Sequence, residues 1–331
     1  MEKIVIGIDI SSKTLDICIK KSGHYSFEII DNEVKSISNF LKKVGKSSSE
    51  IIISMENTGR YNWNLYEVLE TLSFKIFVLN PLHLKKSLGL IRGKDDKIDA
   101  KRICDFTEKN EKELIQWKPC SETLKKIKLL FTERNSKVKL KASLLKQRIL
   151  YSQLKGLKLD SKFMKMNKKE VELLEEHIDF LEKEIERLIE TDEDLSLKKN
   201  NIRSIPGVGK VLSWMIIAKT EGFTKVTDPR KMACYAGVAP FGYQSGTSLR
   251  YRPKVSHYAD KSLKTILHMA AMRAVRMEND LKEYYQRKIK EGKNKMAILN
   301  AVRNKIIHRI FAIVKNGKSY EKNYLNNLIL S

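Results

Sequence analysis

No apolar run in this chain approaches the ~20 residues that a membrane-spanning helix needs, so a spanning protein is not expected. Cysteine is scarce. Cys18, Cys104, Cys120 and Cys234 are scattered without a CxxC pair, which gives no zinc site and fits a reducing cytoplasm. The six histidines, at 24, 83, 177, 257, 268 and 308, show no ligand spacing, although His257 and His268 fall in a basic stretch. The chain opens on a strand-like pattern, so no signal peptide is expected. Acidic residues are also in short supply: 64 Lys and Arg face 40 Asp and Glu, a net charge of +24. Such a surface attracts polyanions, nucleic acid first, with a membrane-surface or ribosome-associated protein as the bland alternative. The excess is uneven, since residues 201–331 carry 25 basic and 8 acidic side chains. The last third therefore reads as the main footprint on a phosphate backbone.

What the chain does contain is length for two or three domains and four well-placed acids. Asp9 follows the apolar run Ile4-Val5-Ile6-Gly7-Ile8, and Glu56 follows Ile51-Ile52-Ile53-Ser54-Met55. Asp96 and Asp99 lie three residues apart in Arg92-Gly93-Lys94-Asp95-Asp96-Lys97-Ile98-Asp99, which puts both carboxylates on one side of a helical turn. Carboxylates at strand ends suit a hard divalent cation, Mg²⁺ or Mn²⁺. Two such ions about 4 Å apart stabilise both oxygens of an in-line phosphoryl displacement. Lys94 and Arg92 stand beside the pair, where they neutralise a phosphate or simply form a solvated helix entry.

The pattern predicts strands at 3–10, 14–20 and 25–30, then helix 33–44, strand 50–55, helix 61–72, strand 74–79 and helices at 81–89 and 97–109. Three strands followed by alternating helices and strands is the order of a ribonuclease-H-like (RuvC-like) α/β domain, expected over 1–115. Residues 116–199 read as an arm of two long helices, 121–155 and 169–199. Val171, Leu174, Ile178, Leu181, Ile185 and Leu188 form a heptad seam in the second. The first helix is basic and the second acidic, which suits a helical hairpin, a coiled coil pairing subunits, or an ordinary core-facing stripe. Residues 200–331 are expected to be mainly α, with helices near 209–220, 228–236, 259–278 and 294–314.

Within that last region, Ile205-Pro206-Gly207-Val208-Gly209-Lys210 has the form of a helix-hairpin-helix turn. Its glycines permit a tight bend that offers backbone N–H groups and a helix N-terminus to a phosphate, or else it is a plain interhelical turn. Ala239-Pro240-Phe241-Gly242-Tyr243-Gln244-Ser245-Gly246 is a small-residue turn before Arg250-Tyr251-Arg252. By itself Ser245 is an ordinary turn serine. Gly7-Ile8-Asp9-Ile10-Ser11 also resembles the first phosphate loop of actin-like and sugar kinases. That reading requires a downstream Asp-x-Gly, and the chain has none.

Taken together and in order, these pieces resemble a known family: insertion-sequence transposases with an amino-terminal Asp-Glu-Asp-Asp domain and a carboxy-terminal serine-bearing transposase domain, understood as bridge-RNA-guided recombinases. The resemblance covers essentially the whole chain. It rests on Gly7-Ile8-Asp9 with Lys13, Glu56-Asn57-Thr58-Gly59, Lys94 to Ala100, Ile205 to Gly209, Ala239-Pro240 and Ser245-Gly246. It implies that Asp9, Glu56, Asp96 and Asp99 bind metal and that Ser245 attacks a DNA phosphate to form a covalent phosphoserine. It implies a composite active site in a homodimer or homotetramer, with donor and target DNA recognised through a non-coding bridge RNA of the element. Lys94, Gly207, Gly209, Lys210, Arg250 and Arg252 are the expected nucleic-acid contacts. The protein is expected in a prokaryotic cytoplasm, at the nucleoid. Asp95 stands where threonine is frequent in the family, and the spacing to Asp99 favours Asp96 as the ligand. Ser256-His257-Tyr258-Ala259-Asp260 replaces a stretch that is often richer in Gly and Lys.

A serine hydroxyl is a weak nucleophile that needs a base, a metal or both, and the sequence around Ser245 offers no base. The alternatives are a metal-dependent, junction-resolvase-like endonuclease that uses water, and a non-catalytic nucleic-acid-binding protein.

Overall fold

The computed structural model describes residues 3–45, 50–87, 95–154, 156, 160–245, 249–256 and 258–321, with only the backbone described over 243–254. The chain forms two compact units, Met1–Pro119 and Cys120–Ser331. No helix among the described residues is long and apolar enough to cross a membrane.

The first unit is built on a five-stranded mixed sheet. Strands β1 (Lys3–Ile10), β2 (Thr14–Lys21) and β3 (His24–Asp31) form an antiparallel meander. Helix α1 (Val34–Gly45) then carries the chain to β4 (Glu50–Glu56), which lies parallel to β1. A 3₁₀ turn at Gly59–Asn62 and α2 (Trp63–Leu69) lead to β5 (Lys75–Leu79), parallel to β4. Helices α3 (Pro81–Ser87) and α4 (Asp96–Asn110) complete the unit, and the strand order is β3-β2-β1-β4-β5. Three strands followed by alternating helices and strands is the succession expected from the sequence.

The period-2 pattern of β1 sorts its faces. Ile4, Ile6, Ile8 and Ile10 join Ile37, Phe40 and Leu41 of α1 and Leu65, Val68 and Leu69 of α2 in one core. Val5 shares the other face with Cys18 of β2 and with Ala100 and Cys104 of α4. Gly7 also lies on this face. A Cβ there would sit 2.3 Å from the Ala100 carbonyl oxygen and 2.5 Å from the Cys104 nitrogen, so only glycine lets α4 lie this close to the strand. Asp9 and Asp16 are directly opposed in the β1–β2 register, on the same face as Gly7. Beyond α4, Trp117 stacks on Tyr66 at 5.1 Å and donates its backbone N–H to Ile76.

The second unit is helical apart from one hairpin. Helices α5 (Glu122–Gln153) and α6 (Ser161–Glu190) pair antiparallel, through Arg134 with Glu182, Lys141 with Glu175 and Tyr151 against Phe163. Val171, Leu181 and Ile185 of the expected seam are buried in that pairing, and Leu174, Ile178 and Leu188 are half-buried. The expected helix 169–199 is in fact two helices. Thr191 closes α6, and Asp192, in extended backbone, caps α7 (Glu193–Arg203) by accepting from the Leu195 N–H at 3.0 Å. A capping aspartate inside an apolar-periodic run ends one helix and starts another.

Helices α8 (Lys210–Thr220), α9 (Pro229–Tyr235), α10 (Lys261–Ala274), α11 (Asp280–Lys290) and α12 (Lys295–Asn316) complete the core with Leu124, Ile127 and Phe131 from the base of α5. Two elements go beyond the sequence reading. Strands β6 (Pro240–Ser245) and β7 (Leu249–Val255) form a hairpin with a register shift between Phe241 and Tyr243. The other is α11, which is polar on most sides and buries only Leu281, so no apolar stripe announces it.

Candidate functional site

Three carboxylates converge at one end of the first sheet. Asp9 on β1 and Asp96 and Asp99 in the first turn of α4 bring ligand oxygens within 4.8 Å of one another. The approach of α4 to β1 at Gly7 makes this possible. A carboxylate-only donor set this tight fits a hard divalent cation. Burial first, and then the charges of Asp99, Asp96 and Glu56, push the Asp9 carboxyl up to about 6. Burial and Asp99 raise Glu56 as well. Mutual repulsion of this kind is relieved by a cation, so the residues fit a metal.

Asp95 and Asp96 play different parts. Asp95 is the N-cap of α4 and accepts the Lys97 N–H at 3.0 Å, whereas Asp96 belongs to the converging trio. Asp99 accepts a hydrogen bond from Arg102 at 2.7 Å. Glu56, at the end of β4, stands outside the trio. Its carbonyl accepts from the Asn62 side chain at 2.9 Å, and Asn62 Oδ1 accepts from both the N–H and the hydroxyl of Thr58 at 2.8 Å. Asn62 is wholly buried and fixes the loop that follows Glu56. It is a positioning residue that the sequence reading missed.

Asp16 was missed too. It is buried, it faces Asp9 across the β1–β2 ladder, and burial and the charges of Asp96 and Asp95 raise its carboxyl. Among the described residues none donates a hydrogen bond to it. The signal lay in the sequence Asp9-x₆-Asp16 across a tight turn: antiparallel pairing about that turn sets the two acids side by side. Lys94 and Arg92 lie outside the described residues.

In the second unit, the turn from Ser204 to Gly209 joins α7 to α8. Gly207 has φ +86°, and a Cβ on it would meet the Ala270 carbonyl oxygen at 2.4 Å. This glycine serves the close packing of α10. Gly209 caps α8 with open space around its Cα. Lys210 is drawn to α6, where its ammonium pairs with Glu182 at 2.5 Å and sits 5.5 Å from the centre of the Trp214 ring. Ser245 ends β6 opposite Leu249, at the tip of the hairpin. The side chains of Ser245, Arg250 and Arg252, like His257 altogether, lie outside the described residues.

Two family models match this chain. A transposase model carrying the DEDD signature of the IS110 group matches residues 6–157, and a model of the transposase IS116/IS110/IS902 family matches residues 199–286. The chain belongs to the IS110 family of transposases. This IS110-family transposase is 26% identical over 330 residues to a pilin gene-inverting protein of Moraxella bovis, covering 97% of this chain and 99% of that one. A pilin gene-inverting protein of Moraxella lacunata is 25% identical over the same length. An uncharacterized 43.6 kDa protein of insertion element IS110 from Streptomyces coelicolor matches at 26% over 120 residues, 36% of this chain and 29% of that one. Among solved structures the transposase is similar to T. thermophilus RuvC in complex with a Holliday junction substrate. The identity is 13% and the TM-score 0.28, over 35% of this chain and 99% of that one.

Proposed function

We propose that this transposase cuts and rejoins DNA strands through a covalent phosphoserine at Ser245, with Asp9, Glu56, Asp96 and Asp99 holding a divalent metal. The convergence of Asp9, Asp96 and Asp99 carries this reading. A half-buried carboxylate whose proton affinity is raised by burial and by two acids of α4 is a poor structural device and a good cation site. When bound, Mg²⁺ or Mn²⁺ supplies positive charge to phosphate oxygens and eases ionisation of a hydroxyl. In the proposed step the Ser245 Oγ–P bond forms, a P–O bond of the DNA backbone breaks, and the serine proton passes to solvent or a base while the leaving oxygen is protonated. The reverse attack, by a DNA hydroxyl on the phosphoserine, rejoins a strand. Gene inversion in the Moraxella relatives supports strand exchange over simple hydrolysis.

The backbone of Ser245 ends β6 at the tip of the hairpin, next to the basic stretch Arg250-Tyr251-Arg252 in sequence. The helical pair α5–α6 presents Leu129, Ile149, Leu150, Leu173 and Phe180 to solvent. That apolar surface supports a role in pairing subunits. Target and donor choice is assigned to a bridge RNA of the element, in keeping with the basic excess of the last third and the role of phosphate contacts in positioning rather than sequence choice.

The test is trapping on a denaturing gel. Wild-type protein incubated with Mg²⁺, guide RNA and cognate DNA forms a protein–DNA adduct, and Ser245→Ala forms none while retaining RNA binding. An adduct that persists in Ser245→Ala refutes the nucleophile. Nicked DNA without adduct in the wild type indicates the hydrolytic reading, and full function after loss of the four acids indicates a non-catalytic scaffold.

A further inference from the structure

Arg303 of α12 is 5% exposed, yet among the described residues no carboxylate pairs with it. Its Nη1 donates to Asn300 Oδ1 at 3.4 Å and its Nη2 lies 3.0 Å from His268 Nδ1, while its Nε has no partner. Because a guanidinium only donates, His268 accepts through Nδ1 and is neutral, with its proton on Nε2. Burial and the Arg303 charge both favour that neutral form. Beside the pair is a pocket of about 330 Å³ lined by Lys261, Lys264, Thr265, His268 and Arg303.

The four α10 positions, 261, 264, 265 and 268, recur at helical spacing and form one stripe. Every polar group of the lining is a donor or can act as one, and none is acidic. Lys261 and Thr265 are exposed, so the pocket is open to solvent at that end. A buried guanidinium without a counter-charge is strongly disfavoured, and burial does push this one below its ordinary value. An anion is what the arrangement lacks. Arginine's planar fork matches two oxygens of one phosphate.

We propose that this pocket between α10 and α12 binds a phosphodiester group of a nucleic-acid backbone, with Arg303 as its buried charge and Lys261, Lys264 and Thr265 at its mouth. The inference rests on the reading of the chain as a recombinase only in its choice of a polymeric phosphate over a free one. It adds a contact in α10 and α12 to the turn and hairpin residues expected from the sequence.

Arg303→Met keeps the length of the side chain and removes the unpaired charge. Its affinity for a DNA duplex and for a single-stranded RNA is measured by fluorescence anisotropy across a salt series. Loss of one phosphate contact weakens binding about tenfold and lowers the slope of log K against log salt by about 0.9 on duplex DNA or about 0.7 on a single strand. Whichever polymer shows the loss is the one seated in the pocket. Inorganic phosphate, compared with chloride at matched ionic strength, should raise the wild-type melting temperature and leave that of Arg303→Met unchanged. If Arg303→Met does not fold, the Lys261→Ala/Lys264→Ala double variant, altered only at the mouth, should show the same weakening and reduced slope. Unchanged affinity and slope with both polymers in a folded variant overturn the pocket. Wild-type protein that binds neither polymer overturns the recombinase reading instead.

Discussion

Replacing Asp9 with asparagine should make the metal-free protein more stable at neutral pH while removing its response to metal. Burial first, and then the charges of Asp99, Asp96 and Glu56, push the Asp9 carboxyl up from 3.8 to about 6. A shift of about two units corresponds to roughly 3 kcal/mol at about 1.36 kcal/mol per unit. Asp9 is only half-buried, so solvent screening brings this to about 1–2 kcal/mol. A folded-state pKa above the unfolded one means that the favourable contribution is fully present below about pH 4 and is lost as pH rises through about 6. In EDTA, therefore, the variant should exceed the wild type by about 1–2 kcal/mol at pH 7.5, and most of that gap should close at pH 4.5. Urea or thermal melts of the full chain, followed through the transition of the first unit, give the two differences. Millimolar Mg²⁺ should then reverse the order, because ligand binding stabilises only the protein that binds it. A variant less stable than wild type at pH 7.5 in EDTA, or a gap that does not depend on pH, would refute the picture of Asp9 as a carboxylate held at a cost by burial and by its acidic neighbours.

The other expectations concern the scaffold of the two units. Gly7→Ala places a Cβ 2.3 Å from the Ala100 carbonyl, so α4 must move off β1. A cost of about 1–3 kcal/mol, together with weaker Mn²⁺ binding by calorimetry, is expected. Asp16→Asn should leave the fold intact and lower Mn²⁺ affinity roughly tenfold, as loss of a residue supporting the ligands does; unchanged Mn²⁺ titrations would assign Asp16 to packing alone. Asp260→Ala removes the N-cap of α10 and leaves Lys219, now paired at 2.6 Å, without its carboxylate. The loss should be roughly 2–3 kcal/mol in denaturant melts. The interactions with Lys219, Ser262 and the Leu263 N–H hold the Asp260 carboxyl well below its usual range. Its contribution is therefore present at neutral pH and lost only on acidification.

The first unit was legible because its strands advertise themselves. Ile4 to Ile10 and Ile51 to Met55 are apolar runs of strand length, and both burial patterns follow them. The heptad seam of α6 was legible for the same reason, but its partner was not. Periodicity shows that a face is covered, and only the ion pairs from Arg134 and Lys141 show that α5 of the same chain covers it. The break at Asp192 and the helix α11 depend on caps. A lone Asp or Asn inside a polar stretch is too common to fix a boundary without the structure. The hairpin of β6 and β7 carries Pro240, Gly242 and Pro253 in strand positions, residues that count against a strand, and its register shift falls at Gly242 and Pro253.

Spacing along a chain reports on the neighbours of a single element, and the converging acids come from two, β1 and α4. The three-residue step from Asp96 to Asp99 correctly set those two side by side on one helix turn. That Asp9 joins them depends on Gly7, because the helix can reach the strand only where no Cβ intervenes. The same glycine, read as part of Gly-Ile-Asp in the sequence, looks like a loop signature; in the fold it is the contact that sets the distance between Asp9 and the two acids of α4. Asp16 and Asn62 were overlooked for the complementary reason. One contributes through cross-strand register and the other through hydrogen bonds to Glu56 and Thr58, and a sequence offset yields either relation only once the shape of the intervening turn is known. Arg303 differs again: it lies in an apolar helix as one more surface-type residue, and its interest comes wholly from what is missing around it. Residues that bear charge at a site are visible in composition and spacing, whereas those that hold the charges at their working separation become visible only as packing.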